Sequence, residues 1–302
     1  MFPALATSAL GTLLLIPWFK LEAWEIPGIG LKLQPFGLLV AVGILVGSRV
    51  AEWHGERRGV PRHIVADFLL WTIIFGLPMG MLLNMIIYEP EKAAGWLRGD
   101  FSYPGMSSFG GFFAGTMAAL WFRHKKRVSL MVVGDIFCFA FPFAWLFGRT
   151  GCFVVHDHPG VVTDFFLAVE NYNGRGQPRH DLGLYEVFWS LAMMGLVLWL
   201  GSKPRPRGFF MALVPICYAP IRFSLDYLRE VPTFGGDVRY GGFTPGQYWA
   251  VVMLFAGIMV ALKVKSGPEP ELYLDGAPPE EPKPATSDKA KKSKGKGGKR
   301  KR

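Results

Sequence analysis

The sequence predicts an all-α integral membrane protein of about seven transmembrane helices, with an eighth at the N-terminus left open and the C-terminus in the cytoplasm. Three observations predict this. Of the 302 residues, 51% are apolar and 15% aromatic, more than an ordinary soluble domain carries. Apolar runs recur along the chain at 35–47, 64–88, 105–122, 130–147, 183–200, 208–228 and 244–262, most of them near the length that crosses a bilayer core. The connections between them alternate in charge. Those at 49–63, 123–129 and 203–207, together with the tail, are rich in Lys and Arg, whereas those at 88–104, 150–182 and 229–243 carry both signs. By the positive-inside rule the first set faces the cytoplasm and the second the opposite side.

Taken in order, residues 1–19 are apolar and end at Lys20, with no positive start and no clear cleavage site. They make a poor signal peptide and read as an extra membrane helix or an interfacial segment, so 1–34 is set apart as an apolar lead-in. Residues 35–264 form the polytopic domain. Trp18, Trp71, Trp121, Tyr248 and Trp249 stand near run ends, as headgroup belts require. Gly110, Gly111 and Gly115 have the small-residue spacing of closely packed helices. Residues 265–302 read as a disordered cytoplasmic tail: 283–302 alone holds ten Lys or Arg against one acid, Asp288, and so carries nearly all of the chain's net charge of +10. Such a tail does not make a nucleic-acid-binding surface, and no nucleic-acid partner is expected. The bilayer is the expected surroundings, and near its anionic face each Lys is worth about 1 kcal/mol.

Charged residues within spans cost about 2.5–3.5 kcal/mol each at the centre on insertion scales, so they mark candidate sites. Arg149 follows the run 130–147 and is flanked by Gly148 and Gly151. It is either an interfacial anchor or a planar fork of donors for phosphate or carboxylate. Tyr218, Arg222, Asp226 and Arg229 form a polar stripe at helical spacing, in which Arg222 and Asp226 stand four apart and are able to pair. Glu186 is the one acid in the run 183–200; it reads as a cap or as a carboxylate partner for Arg149 or Arg222. Arg179, His180 and Tyr185 stand at the entrance of the same run. His156, Asp157 and His158 lack the further ligand that a metal site needs, so no metal is expected. Cys138, Cys152 and Cys217 have no metal or disulfide spacing. No phosphate loop, dinucleotide fingerprint, nucleophile elbow or zinc-protease helix is present, and no cofactor is called for.

Several motifs stand in one order: GMSSFGG at 105–111, FGRTGCF at 147–153, RHDLGLYE at 179–186, YAPIRF at 218–223 with Asp226 and Arg229, and TPGQ at 244–247. Together they resemble the bacterial prolipoprotein diacylglyceryl transferase family over about 28–263. The resemblance implies a seven-helix inner-membrane enzyme with its site toward the periplasm. It would move diacylglyceryl from phosphatidylglycerol to the lipobox cysteine thiol of a preprolipoprotein signal peptide, with release of glycerol phosphate. It places Arg149 on the signature Arg expected to hold the phosphatidylglycerol headgroup, and Tyr218 and Arg222 on a Tyr and an essential Arg. Glu186, Arg179 and His180 fall on the family's Arg-His and Tyr-Glu segment, and Asp157 stands for the family's Glu.

The chain departs from the pattern at six places. Phe109 replaces a His, Cys152 and Val155 replace Asn, Asp157 replaces Glu, Phe36 replaces Tyr and Gly183 replaces Gln. The catalytic set expected is therefore Arg222, Tyr218 and Glu186, and the substrate-binding set Arg149, Asp157, Arg179, His180 and Arg229. His156, His158 or His180 is left to supply the base. The alternative is a weak or inactive paralogue that binds lipid or lipoprotein signal peptides. A transporter is disfavoured because no inverted repeat and no pair of broken helices is evident.

Overall fold

The computed structural model describes residues 15–276, apart from 26, 29–31, 88, 101–107, 175 and 235. Most of the N-terminal apolar run, with the extra span assigned to it, and residues 277–302 of the tail, the Lys/Arg cluster included, thus lie outside the described residues, whereas 265–276 of the tail are described. The helices are α1 (Pro35–Arg57), α2 (Arg62–Ile87), α3 (Pro90–Leu97), α4 (Ser108–Lys126), α5 (Leu130–Val155), α6 (Leu182–Gly201), α7 (Phe209–Leu225) and α8 (Pro245–Ser266). Two short antiparallel ribbons accompany them, β1 (Trp24–Glu25) with β2 (Lys32–Leu33) and β3 (Pro159–Val162) with β4 (Arg179–Asp181).

Among the described residues, α1, α2, α5, α6 and α8 are long and apolar enough to cross a membrane. The other two runs read as spans fold into α4, whose last turn carries Arg123, His124, Lys125 and Lys126, and α7, which has 17 residues and two internal prolines. Residues 15–25 run along the loop that follows α5. Ile16 pairs with Val169, and Leu21 N–H donates to Val154 O at 3.0 Å.

The central helix is α5, against which α1, α6 and α7 all pack; α2 packs on α4 and α7 on α8. Small residues set the closest approach. A Cβ on Gly43 would lie 2.7 Å from Ala144 O, and one on Gly110 would lie 2.9 Å from Gly80 Cα, so helix backbones touch there as in other membrane bundles. Phe139, Phe141, Met193, Val197, Phe210 and Val214 fill the space between α5, α6 and α7. Contrary to the sequence expectation, α5 does not end near Phe147. It runs two turns further and stops at His156, which takes the left-handed conformation with φ 51°. Helical hydrogen bonding does not need apolar side chains, and Gly151 lets the extra turns pass Phe36, to whose ring carbon a Cβ there would come within 3.0 Å. Arg149 is therefore carried on a helix body rather than at a helix end.

Alternation of helix direction sorts the two ends of the bundle. Arg57, Arg58, Arg62, the cluster 123–127, Arg205, Arg207 and Lys263 share one end, tied together by Arg58 Nη2 to Arg205 O at 2.5 Å and Arg207 Nη1 to Pro270 O at 2.8 Å. The chain after α8 stays at that end: Leu272 O accepts from Ser129 N–H, and Asp275 pairs with Arg127. The end of α5, the starts of α6 and α8 and the end of α7 meet at the other end.

Asp135, buried on α5, accepts Phe210 N–H at 2.6 Å and Met211 N–H at 3.2 Å, and so caps α7 from a neighbouring helix. Asp135→Ala removes the acceptor of the buried Phe210 amide and of the half-buried Met211 amide and is expected to cost about 1–3 kcal/mol, read by thermal unfolding in detergent. An unchanged midpoint would contradict this capping role.

Candidate functional site

Each helix end at the site is fixed by its own sequence. Asp181 caps α6 by accepting Leu184 N–H at 3.0 Å, and its other oxygen holds His156 Nδ1 at 2.7 Å. The C=O of His156 accepts from Tyr172 Oη at 3.0 Å. This buried knot joins the end of α5 to the start of α6. Thr244 and Gln247 form a capping box on α8, with Pro245 in its first turn.

Within this frame Arg149 and Glu186 meet. Arg149 is 3% exposed and Glu186 is fully buried. Arg149 Nε lies 3.0 Å from Glu186 Oε2, which also accepts from Tyr218 Oη at 2.7 Å and Trp145 Nε1 at 3.1 Å. The guanidinium sits 4.4 Å from the centre of the Trp145 ring, a cation–π contact that partly replaces its hydration. Glu186 Oε1 is buried and has no partner among the described residues. Arg149 Nη1 approaches His158 Nε2 at 3.1 Å and Cys152 Sγ at 3.9 Å.

His158 Nδ1 in turn lies 2.5 Å from Asp157 Oδ1. In its neutral form His158 satisfies both contacts, with Nδ1–H donating to Asp157 and Nε2 accepting from Arg149, a tautomer assigned from the network. Partial desolvation works against charge on both groups, although the Asp157 side chain stays 41% exposed, and the pair outweighs it: Asp157 lies below the usual carboxylate range, and His158 is raised above the usual imidazole value.

A second cluster begins one turn beyond Tyr218. Arg222 pairs with Asp226, whose Oδ1 also accepts from Arg229 Nε at 3.2 Å and whose Oδ2 accepts from Thr244 Oγ1. Arg229 Nη1 reaches Asp237 at 3.2 Å. Asp226 and Arg229 lie past the end of α7, so the stripe expected on one helix is completed by the loop that follows it. Gly246 permits the contact, since a Cβ there would fall 2.6 Å from both Arg222 Nη2 and Asp226 Oδ2.

Arg149, Glu186, Tyr218 and, through His158, Asp157 form one network, and Arg222, Asp226 and Arg229 form the adjacent one. Arg179 and His180 stand apart. Arg179 Nη1 bonds Gly160 O at 3.2 Å and Glu230, closing the β3–β4 ribbon, and His180 Nδ1 bonds Tyr185 Oη at 2.6 Å. Sequence reasoning missed Trp145, one turn before Arg149, and Asp181, whose place before an apolar run is an N-cap signal. Among the described residues, Cys152, Asp157 and His158 have metal-ligand reach, with ligand atoms within 4.8 Å of one another; His156 turns away to Asp181. The adjoining Arg149 cation opposes a metal ion there.

Two buried arginines, a shared carboxylate and a His–Asp pair at one end of a membrane bundle suit an anionic headgroup. The pattern of the prolipoprotein diacylglyceryl transferase family matches residues 23–263. This chain belongs to that family. The phosphatidylglycerol–prolipoprotein diacylglyceryl transferase of Chromohalobacter salexigens is 29% identical over 263 residues, covering 84% of this chain and 98% of that protein. The transferase of the same name from Pseudomonas aeruginosa is 28% identical over 240 residues, covering 76% of this chain and 88% of its own. That of Polynucleobacter asymbioticus is 34% identical over 155 residues, covering 51% and 59%. The ordered motifs thus identify the family correctly, and the networks around Arg149 and Arg222 fall within the matched residues.

Glu186→Ala would leave the Arg149 cation buried without its carboxylate, which typically costs about 3–5 kcal/mol. Thermal unfolding in detergent is expected to show a large fall in the midpoint. A fall no greater than that of an exposed variant such as Arg62→Ala would contradict the burial argument.

Proposed function

We propose that this protein transfers diacylglyceryl from phosphatidylglycerol to the lipobox cysteine thiol of preprolipoprotein signal peptides, releasing glycerol phosphate. The observation that carries the reading is the buried Arg149, locked by Glu186 and stacked on Trp145, with Arg222 one turn beyond Tyr218. A buried cation whose guanidinium is held in place by Glu186, Trp145 and His158 is a preorganised phosphate site, strengthened by the low dielectric around it. Glu186 and Asp226 orient the two guanidinium groups. Tyr218 fixes the Glu186 carboxylate. Glu186 Oε1, without a partner among the described residues, offers an acceptor to a headgroup hydroxyl.

The thiol must lose its proton to attack. Of the three histidines left open by the sequence, His156 is engaged by Asp181 and His180 by Tyr185, whereas His158 touches Arg149 and is backed by Asp157. His158 is the base in this reading. When the lipid phosphate takes the Nη1 donor of Arg149, His158 Nε2 is released to accept the thiol proton. The C–S bond then forms at the glycerol carbon as its C–O bond to phosphate breaks. Arg179, His180 and Arg229 hold the surrounding cap.

The same reading makes this a bacterial inner-membrane protein of seven spans, with α4 and α7 as the two shorter ones. The Lys/Arg-bearing end and the C-terminus face the cytoplasm, and the site faces the periplasm. The Arg149–Glu186–Tyr218 contacts and the His158–Asp157 pair support transfer over a lipid-binding paralogue.

The direct test is mass spectrometry of a lipobox peptide incubated with the purified protein in phosphatidylglycerol vesicles. One diacylglyceryl group on the peptide thiol is expected. Arg149→Lys and Arg222→Lys are expected to lower the rate by about 10²–10³-fold, as loss of a preorganised donor does. An unmodified peptide in the presence of folded protein would refute the reading. Because Asp157 raises the basicity of His158, the bare imidazole becomes more abundant as pH rises. Transfer is expected to climb with pH above neutral, and His158→Gln to be slower, with its climb set only by ionisation of the thiol itself near about 8.5. An unaltered profile in His158→Gln would remove His158 as the base.

A further inference from the structure

Cys152 occupies the place where an acceptor thiol is needed. It is 6% exposed, one helical turn after Arg149, with Sγ 3.9 Å from Arg149 Nη1. Its sulfur, the Asp157 carboxylate and a ring nitrogen of His158 all lie within 4.8 Å of one another. The three groups form a nucleophile, a base and a carboxylate that orients the base. The neighbouring Glu186 Oε1 is fully buried and lacks a partner among the described residues, which leaves an acceptor beside Arg149 for a further polar group. Cys138 and Cys217, by contrast, stand half-buried among the apolar side chains between the helices.

We propose that Cys152 is an internal acceptor: in the absence of a lipoprotein substrate it takes the diacylglyceryl group of bound phosphatidylglycerol and becomes a thioether-modified residue. The inference rests on the function proposed above, because the donor chemistry is the same. A phosphate held at Arg149 Nη1 has its ester carbon two bonds from phosphorus, within reach of a sulfur 3.9 Å from that nitrogen. The Cys152 S–H proton passes to His158 Nε2. Sγ forms a C–S bond to the glycerol carbon that carries the phosphate oxygen, the C–O bond breaks, and glycerol phosphate leaves with the bonding pair. No oxidant or reductant is required. The thioether has no good leaving group, so the modified chain keeps the lipid. Reaction with a lipobox thiol and reaction at Cys152 compete for the same donor.

The experiment uses the full-length protein in vesicles of phosphatidylglycerol with defined acyl chains, with and without a lipobox peptide, followed by digestion and mass spectrometry. Without peptide, a gain of one diacylglyceryl mass is expected on Cys152 and on neither Cys138 nor Cys217. The gain is absent in Cys152→Ala, slower by about 10²-fold in His158→Gln, and reduced when peptide is added. A modified peptide beside an unmodified Cys152 would overturn this inference and leave the proposed function standing. Equal labelling of all three cysteines would also overturn it, since reaction would then not depend on the site. If neither the peptide nor Cys152 is modified, both readings fail.

Discussion

The buried pair of Arg149 and Glu186 is the constraint on which the rest of this end of the molecule depends. A guanidinium removed from water at the end of a membrane bundle is tolerated when opposite charge and hydrogen bonds replace its hydration. Glu186 supplies the charge, Trp145 supplies an aromatic face, and Tyr218 fixes the carboxylate. Each partner comes from a different place in the chain, so α5, α6 and α7 must arrive at one point in register. The caps that end and start these helices serve that requirement. Asp181 alone starts α6 and anchors His156 at the end of α5.

Such pairs seldom raise stability above what apolar packing would give. In the proposed function their use is to hold donors in place before the ligand arrives, so that no reorganisation is needed at the moment charge develops. The second cluster repeats the device with Arg222, Asp226, Arg229 and Thr244, and Gly246 is kept free of a side chain so that Arg222 and Asp226 can meet. Cationic groups also favour thiolate over thiol, which in the proposed function links phosphate binding to the activation of the sulfur nucleophile.

Much of this was legible in the sequence for a physical reason. Apolar runs, basic loops and ordered motifs are local in the chain, and they gave the membrane class, the family and the positions of Arg149, Glu186, Tyr218 and Arg222. The pairing of Arg222 with Asp226 followed from helical spacing. What depended on long-range contact was hidden. The apolar run stops at Phe147 but the helix does not, because polar side chains on one face leave the backbone ladder intact. The choice among His156, His158 and His180 turned on which neighbour each one meets: Asp181 for the first, Tyr185 for the last, Arg149 for the middle one. Arg179 looked like a site residue from its motif, yet it closes the β3–β4 ribbon against Gly160 and Glu230. Trp145 carried no signal beyond its spacing from Arg149.

The central claim is that the buried arginines hold a lipid phosphate for transfer to a protein thiol. It is tested most directly in bacterial cells depleted of their own diacylglyceryl transferase. Expression of this protein is predicted to restore growth and lipoprotein modification, and Arg149→Ala and Arg222→Ala, at equal membrane levels, to restore neither. Failure of the unaltered protein to rescue despite normal membrane expression, even with lipoproteins from its own source supplied, would contradict the account, as would rescue by both arginine variants.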